Sequence, residues 1–259
     1  KDTTVTAQFR LKRNDASEKL FAQTSLPLFM LAWTPTPWTL PSNTALCVGP
    51  GIDYQIVESI NPYTKEPAAY LLAKERIAAH FNEKVPYKVL DAIFKGKELL
   101  GIEYEQLMPM VKCEAGAHRV IPGDYVSTED GTGIVHIAPT FGADDDKVAK
   151  LSGVPALLMI DKAGNRQAMV DRTGKFYSIE DLDPAFVAEK VNMQEYAPFA
   201  GRYVKNAYDD ALKDSDTSLD IDLCLLLKQS GKAFRIEKHT HSYPHCWRTD
   251  KPVLYYPLD

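Results

Sequence analysis

The sequence contains little cysteine, and this scarcity argues against one class of fold. Four cysteines occur in 259 residues, at Cys47, Cys113, Cys224 and Cys246. They are far apart and show no pairing rhythm, whereas disulfide-stabilised secreted domains carry closely spaced cysteines in regular patterns. We therefore expect reduced thiols in an intracellular protein.

Long apolar runs and a leader-like start are also missing. No stretch approaches the roughly 20 apolar residues that a transmembrane helix needs. The polar residues 1–4 do not resemble a signal peptide. With 45% hydrophobic and 25% charged residues, the chain can still bury a full core. We expect a soluble, cytoplasmic protein with no membrane partner.

The chain has no excess of positive charge, since 30 basic residues face 35 acidic ones and the formal net charge is -5. General nucleic-acid binders usually need a basic face for the phosphates. The basic residues Arg10, Lys12 and Arg13 form a run short enough to be an ordinary solvated surface. Any nucleic acid must therefore be held locally.

The hydrophobic patterns predict a strand-rich domain with inserted helices. Alternation over residues 5–12 and a continuous apolar run over 26–32 predict the first two strands. Further strands are predicted near residues 45–48, 54–57, 70–72, 87–90, 134–137, 156–160 and 233–236. Helices are predicted over residues 74–81, 144–151, 184–191 and 219–228. This mixture predicts an α+β fold with a β-barrel core, as a single domain over residues 1–259.

The segment WTPTPWTLPSN, residues 33–43, follows the apolar run but departs from the pattern of a buried strand. Its first two prolines have no N–H to donate to a sheet, and each favours extended geometry in the residue before it. A rigid extended segment would place Thr34, Thr36 and Trp38 on one face. Two hydroxyls beside an indole would form a wall for a small polar ligand.

A second motif, GTGIVHIAPTFGADDD, spans residues 131–146 and reads as a turn, a short apolar strand, a loop and the start of a helix. His136 stands among aliphatic residues and needs a hydrogen-bond partner, as most core histidines do. Asp144 and Asp146 are explained by the helix dipole, which stabilises carboxylates in a first turn. We expect His136 and one aspartate to face the same cavity.

Together the two motifs closely resemble the editing domain inserted into class I isoleucyl-tRNA synthetases. Valyl and leucyl relatives carry an arginine and an acidic residue where this chain has Thr36, Pro37 and Trp38, which favours the isoleucyl type. The segment 241–248 resembles the return of that insertion, so residues 240–259 are expected to lead back to the synthetic core. No HIGH or KMSKS-like signature occurs. The chain therefore resembles an excised insertion.

The resemblance implies hydrolytic editing of mischarged Val-tRNA(Ile), with valyl-adenylate as a further candidate substrate. Valine and isoleucine differ by one methylene, which gives only about 1 to 3 kcal/mol of discrimination, and the isoleucyl enzymes are the standard example in which this is too little for translation. The implied partners are the acceptor end of tRNA(Ile), the valyl-adenosine moiety and the synthetic core of the parent enzyme. The resemblance implies no cofactor and no metal in this domain, because ATP serves only the absent core, and we expect a monomer.

The resemblance also assigns residues. The catalytic set is Thr34, Thr36, His136 and Asp145, and the substrate-binding set is Trp38, Thr39, Asn43, His136 and Asp145. A carboxylate at Asp145 would pair with the α-ammonium of the aminoacyl group. The threonines would hold the attacking water or the ester oxygens, while His136 and Trp38 would narrow the pocket against isoleucine. No covalent nucleophile is evident.

One position departs from the family and puts the water-holding role of the threonines in question. Pro35 stands where these domains usually carry threonine, which removes one hydroxyl and one N–H.

Three alternatives stay open. The domain could bind the tRNA acceptor end without hydrolysis, or it could belong to a valyl- or leucyl-type synthetase. A zinc site is conceivable at His239, His241, His245 and Cys246, because imidazole and thiolate are zinc ligands. We disfavour it, because Thr249 occupies the second position of a C-x-x-C pair.

Overall fold

The computed structural model describes residues 2–213, 215–240 and 244–255. Eleven strands lie in this part of the chain: β1 Asp2–Arg10, β2 Leu28–Thr34, β3 Ala45–Val48, β4 Asp53–Ile60, β5 Pro67–Ala73, β6 Lys88–Lys95, β7 Arg119–Pro122, β8 Ile134–Ile137, β9 Met159–Ile160, β10 Arg166–Gln167 and β11 Ala233–His239. Six α-helices accompany them: α1 Glu18–Phe21, α2 Ile77–His80, α3 Ala143–Leu151, α4 Pro184–Lys190, α5 Met193–Tyr196 and α6 Leu219–Gln229.

Six strands form the main sheet, in the order β11-β1-β2-β5-β4-β6. Only β2 and β5 pair in parallel, and the other neighbours are antiparallel. Val5, Ala7 and Phe9 of β1 are fully buried in the main core. Thr4, Thr6 and Gln8 on the opposite face are buried as well, so β1 is buried on both faces, whereas its alternation predicts a half-buried strand. The helix α6 packs against β1 and β11 and closes this side of the core.

Three strands form a second sheet, in the order β7-β3-β8, and β9 and β10 form a small hairpin. Strand β8 lies beside β2, and among the described residues no strand of one larger sheet pairs with a strand of the other. Isolated bridges from Tyr104 to Leu11 and from Glu103 to Arg119 connect the end of β1 with β7. The turn before β8 is tied to β2 by one side-chain bond, in which the Thr132 hydroxyl donates to the Leu31 carbonyl at 2.6 Å. The mixed α and β class is therefore confirmed, and among the described residues the strand pairings do not close the sheets into a barrel.

The predicted elements correspond to the observed ones in position, but two strands, β7 and β10, and two short helices, α1 and α5, were missed. β7 has only two apolar residues before its proline and β10 has none, so neither strand shows a hydrophobic period. The extended geometry expected for residues 33–43 is wrong beyond Thr36, because Pro37–Ser42 forms a 3-10 helix. Proline suits the first turn of a helix, since its fixed φ is already helical and its missing N–H would have no partner there.

The four cysteines are free thiols. In the described part of the chain, no helix combines the length and the apolarity that crossing a membrane would require. The expectation that residues 240–259 lead to a synthetic core falls partly on residues 241–243 and 256–259, which lie outside the described residues.

The turn that precedes β8 depends on two glycines with positive φ, 62° at Gly131 and 76° at Gly133. A methyl group added at Gly133 would overlap the Cβ of Ala73, whereas one added at Gly131 would meet no atom within 4 Å. We expect Gly131→Ala to cost about 1 kcal/mol from the left-handed backbone alone. Gly133→Ala should cost about 2 to 4 kcal/mol, because overlap adds to that strain.

Urea denaturation of the two variants checks this expectation. Equal losses of unfolding free energy would show that the close approach to Ala73 is unimportant.

Candidate functional site

A cavity of about 340 Å³ opens between the end of β2 and the turn and strand of β8. Both sequence motifs line it, which confirms that the two regions meet at one place. The lining residues are Trp33, Thr34, Pro35, Thr36, Thr39, Tyr125, Ser127, Asp130, Gly131, Thr132, Gly133, Ile134, Val135, His136, Ala138, Phe141 and Asp145.

Three threonine hydroxyls form a row along one wall of the cavity. Thr34 Oγ1 lies 3.3 Å from Thr36 Oγ1, and Thr36 Oγ1 lies 3.4 Å from Thr39 Oγ1. The backbone fixes this row, because the Thr36 N–H donates to Thr34 Oγ1 at 3.1 Å and the Thr39 hydroxyl donates to the Thr36 carbonyl at 2.8 Å. The 3-10 turn that contradicted the extended prediction is what brings Thr39 beside Thr36.

His136 continues the row at the buried end of the cavity. Its side chain is held on both sides, by Thr39 Oγ1 at 2.9 Å from Nε2 and by Asn43 Nδ2 at 2.7 Å from Nδ1. Burial lowers the pKa of His136 to about 3, so the imidazole is neutral at physiological pH. Because both ring nitrogens are engaged, His136 shapes the cavity and has no free nitrogen to act as a base.

Asp145 is one of two carboxylates that line the cavity, the other being Asp130. It lies in the first turn of α3, and its Oδ2 accepts a hydrogen bond from the Ala138 N–H at 2.8 Å. Burial, aided by the nearby charge of Asp144, raises the pKa of Asp145 to about 6 despite that hydrogen bond. A bound cation would stabilise this partly desolvated carboxylate, because attraction to a positive ligand would offset the energetic cost of its desolvation.

Two predicted binding residues, Trp38 and Asn43, do not line the cavity. Trp38 is 3% exposed and packs edge-on against Phe141, with ring centroids 4.9 Å apart. It therefore supports the cavity wall from behind. The backbone N–H of Trp38 donates to the buried carboxylate of Asp220 at 2.9 Å, which anchors the 3-10 helix to α6. Asn43 touches His136 from the core side.

Several lining residues lie outside the sequence predictions. Tyr125, Ser127 and Asp130 belong to an irregular segment before the second motif, and only their closeness in sequence to that motif could have suggested them. No signal indicated Asp220, which lies far along the chain.

Groups of three or more metal-ligating side chains are absent from the described residues. The considered zinc ligand His241 lies outside them. None of the other three candidates, His239, His245 and Cys246, lines the cavity.

Comparisons with known proteins give clear sequence relatives. The isoleucine–tRNA ligase of Bacteroides fragilis is 57% identical over 274 aligned residues, which cover 100% of this chain and 24% of the relative. That of Porphyromonas gingivalis is 54% identical, again over 100% of the chain and 24% of the relative. That of Thermoplasma volcanium is 39% identical over 89% of the chain and 18% of the relative. The chain thus spans a quarter or less of these proteins.

Among solved structures, one named as the crystal structure of GlLeuRS-CP1 matches with a TM-score of 0.55. It covers 92% of this chain and 100% of its own, at 17% identity, so the likeness concerns the fold. No protein-family model matches the chain.

Proposed function

The chain belongs to the isoleucine–tRNA ligase family, as a segment of about a quarter of the relatives' length, and we propose that this segment hydrolyses mischarged Val-tRNA(Ile). The observation that carries the proposal is the meeting of Asp145, three threonine hydroxyls and a neutral histidine around one cavity. These groups match the parts of an aminoacyl ester: a cationic amine, a polar ester and an apolar side chain.

The proposed reaction is direct attack by water. Asp145 pairs with the α-ammonium and fixes the aminoacyl group, and the hydroxyls of Thr34 and Thr36 hold a water near the ester carbonyl. Attack forms a C–O bond to the carbonyl carbon, and collapse of the tetrahedral intermediate breaks the bond to the ribose oxygen, which leaves with a proton. The products are free valine and tRNA.

The chain's thiols do not take part in this mechanism. Burial raises the pKa of Cys47, Cys113 and Cys224 to about 12, so these thiols stay protonated and are poor nucleophiles. Neither these three nor Cys246 lines the cavity. The site therefore works by holding its reactants in place.

The finer assignments are part of the same proposal. The substrates are Val-tRNA(Ile) and valyl-adenylate, and the partners are the acceptor end of tRNA(Ile) and the synthetic core of the parent ligase. The resemblance and the relatives' names support them. A cytoplasmic location, a monomeric state and the lack of any cofactor in this segment stay predictions.

A deacylation assay tests the proposal, with Val-tRNA(Ile) and Ile-tRNA(Ile) presented to the full-length ligase that carries this segment and to the chain alone. We expect valine release to exceed isoleucine release at least about tenfold, the discrimination that one methylene supports. Binding of tRNA without release of valine above the uncatalysed rate would instead favour the acceptor-end binding module.

A further inference from the structure

Tyr104 lies outside both motifs and does not line the cavity, and we propose that it is a positioning residue which fixes the tautomer of His136 through Asn43. This inference concerns the proton positions behind the threonine row. The expected effect on catalysis rests on the proposed deacylase function, whereas the assignment of the proton positions does not depend on that function.

Tyr104 is held rigidly in the core. Its side chain is 0% exposed, its ring meets Phe9 edge-on with centroids 5.4 Å apart, and its N–H donates to the His118 carbonyl at 3.0 Å. Its hydroxyl donates to Asn43 Oδ1 at 2.5 Å. Burial raises the pKa of Tyr104 well above its ordinary value, so the phenol keeps its proton and remains a donor.

The amide of Asn43 can take only one orientation in this setting. Its nitrogen lies 2.9 Å from the Ala45 carbonyl and 2.7 Å from His136 Nδ1, while its oxygen faces the Tyr104 hydroxyl. A carbonyl accepts only, so the amide nitrogen must point towards Ala45. Rotating the amide by half a turn would bring two oxygen acceptors together and leave the phenol proton facing an amide N–H.

The orientation of Asn43 determines which nitrogen of His136 carries the proton. Nδ1 accepts from the amide, so the proton is on Nε2, which donates to Thr39 Oγ1 at 2.9 Å. The Thr39 hydroxyl in turn uses its proton on the Thr36 carbonyl at 2.8 Å. In each hydrogen bond from Tyr104 through Asn43 and His136 to Thr39, the donor and the acceptor are therefore fixed.

The same fixed order of donors and acceptors continues along the threonines that line the cavity. Because Thr39 has no proton left, the Thr36 hydroxyl is the donor in its 3.4 Å contact with Thr39, and Thr34 is the donor in its 3.3 Å contact with Thr36. Lone pairs on Thr34 and Thr36 remain available to a ligand. A water held there donates its hydrogens to these oxygens, which leaves its own lone pair free to attack a carbonyl carbon.

The experiment compares Tyr104→Phe with Tyr196→Phe. Tyr196 is a matched control, because it is also 0% exposed and its hydroxyl donates to the Tyr177 carbonyl at 2.6 Å, away from the cavity. Nitrogen-15 NMR of histidine-labelled chain reads the tautomer, and His136→Gln identifies the His136 signals. We expect the Nε2–H form in the unmodified chain and in Tyr196→Phe, and a shift towards averaged tautomers in Tyr104→Phe.

The kinetic arm uses Val-tRNA(Ile) and the full-length ligase. We expect Tyr104→Phe to lower kcat about five- to tenfold, as the loss of one ordering hydrogen bond would, with KM within about twofold. Tyr196→Phe should leave both unchanged.

Unchanged His136 signals in Tyr104→Phe, or equal losses of kcat in the two variants, would overturn the positioning role. If Tyr104→Phe altered the tautomer but neither the unmodified protein nor any variant released valine, the tautomer assignment would stand and the deacylase function would be refuted.

Discussion

Replacing Asp145 by asparagine is expected to lower kcat/KM for Val-tRNA(Ile) deacylation roughly 10²- to 10³-fold. The substitution keeps the size of the side chain and an oxygen that can accept from the Ala138 N–H, but it leaves the α-ammonium of the substrate without a counter-charge. Removing one partner of a desolvated charge pair costs about 3 to 5 kcal/mol. Single-turnover deacylation by the full-length ligase measures the effect.

Asp146→Asn is the matched control, because Asp146 lies in the same helical turn but pairs with Lys150 at 2.7 Å on the exposed face. We expect its deacylation rate to stay within about twofold of the unmodified enzyme, since surface pairs contribute little. Equal rates for the two variants and the unmodified enzyme would reject the role of Asp145.

The same assay should depend on pH through Asp145. The carboxyl must be ionised to bind an ammonium group, and its pKa is raised to about 6. The value of kcat/KM should therefore fall as the pH decreases through about 6. In Asp145→Asn the residual activity should lack this step.

As the pH decreases through about 6, the free energy of unfolding should rise while the deacylation activity falls. A folded-state pKa above the unfolded value means that the carboxyl contributes stability at low pH, which is lost as the pH rises from about 4 to about 6. At pH 7 Asp145→Asn should therefore unfold with a free energy higher by on the order of 1 kcal/mol. An inactive but more stable variant would exclude misfolding as the reason for its inactivity.

Replacing His136 by alanine is expected to relax the selectivity of the site. The imidazole lines the buried end of the cavity, and its removal makes room for the extra methylene of isoleucine. We expect deacylation of correctly charged Ile-tRNA(Ile) to rise at least about tenfold. The variant should also lose about 1 to 3 kcal/mol of stability, because the Asn43 amide and the Thr39 hydroxyl lose a buried partner.

His136→Gln separates size from hydrogen bonding. Glutamine is similar in length and can still donate to Thr39, so it should retain most of the rejection of Ile-tRNA(Ile). If alanine lowered the overall rate without changing the ratio of valine to isoleucine release, the size filter would be wrong.

The sequence predicted those parts of the fold that have a local cause. Apolar runs and alternation located the strands that build the main sheet, and Gly231 marked the end of α6 at Gln229. Whether the sheets close into a barrel could not be predicted, because closure depends on pairing between strands distant in sequence, which hydrophobic periodicity does not report. β7 was missed because only two apolar residues, Val120 and Ile121, stand in it between Arg119 and Pro122.

Within the candidate site, the sequence indicated groups that carry chemistry but not the groups that hold them. His136 and Asp145 share one cavity as expected. Trp38 was wrongly expected to line the cavity, because an extended segment was predicted without a long-range contact. Asp220 accepts from the backbone N–H of Trp38 across 182 residues of sequence. Tyr104 was missed because it stands between Glu103 and Glu105 in the sequence, and nothing there indicates its partner Asn43, 61 residues away.

The arrangement of β2 and β8 on either side of the cavity has a consequence for how the selectivity of the site can change during evolution. These strands belong to separate sheets, and in the described part of the chain no backbone ladder joins them. The width of the cleft is therefore governed by side chains packed behind it, such as Trp38 against Phe141. Under the proposed function, substitutions that never touch the amino acid can thus change which aminoacyl ester is hydrolysed, while the proposed catalytic residues stay unchanged.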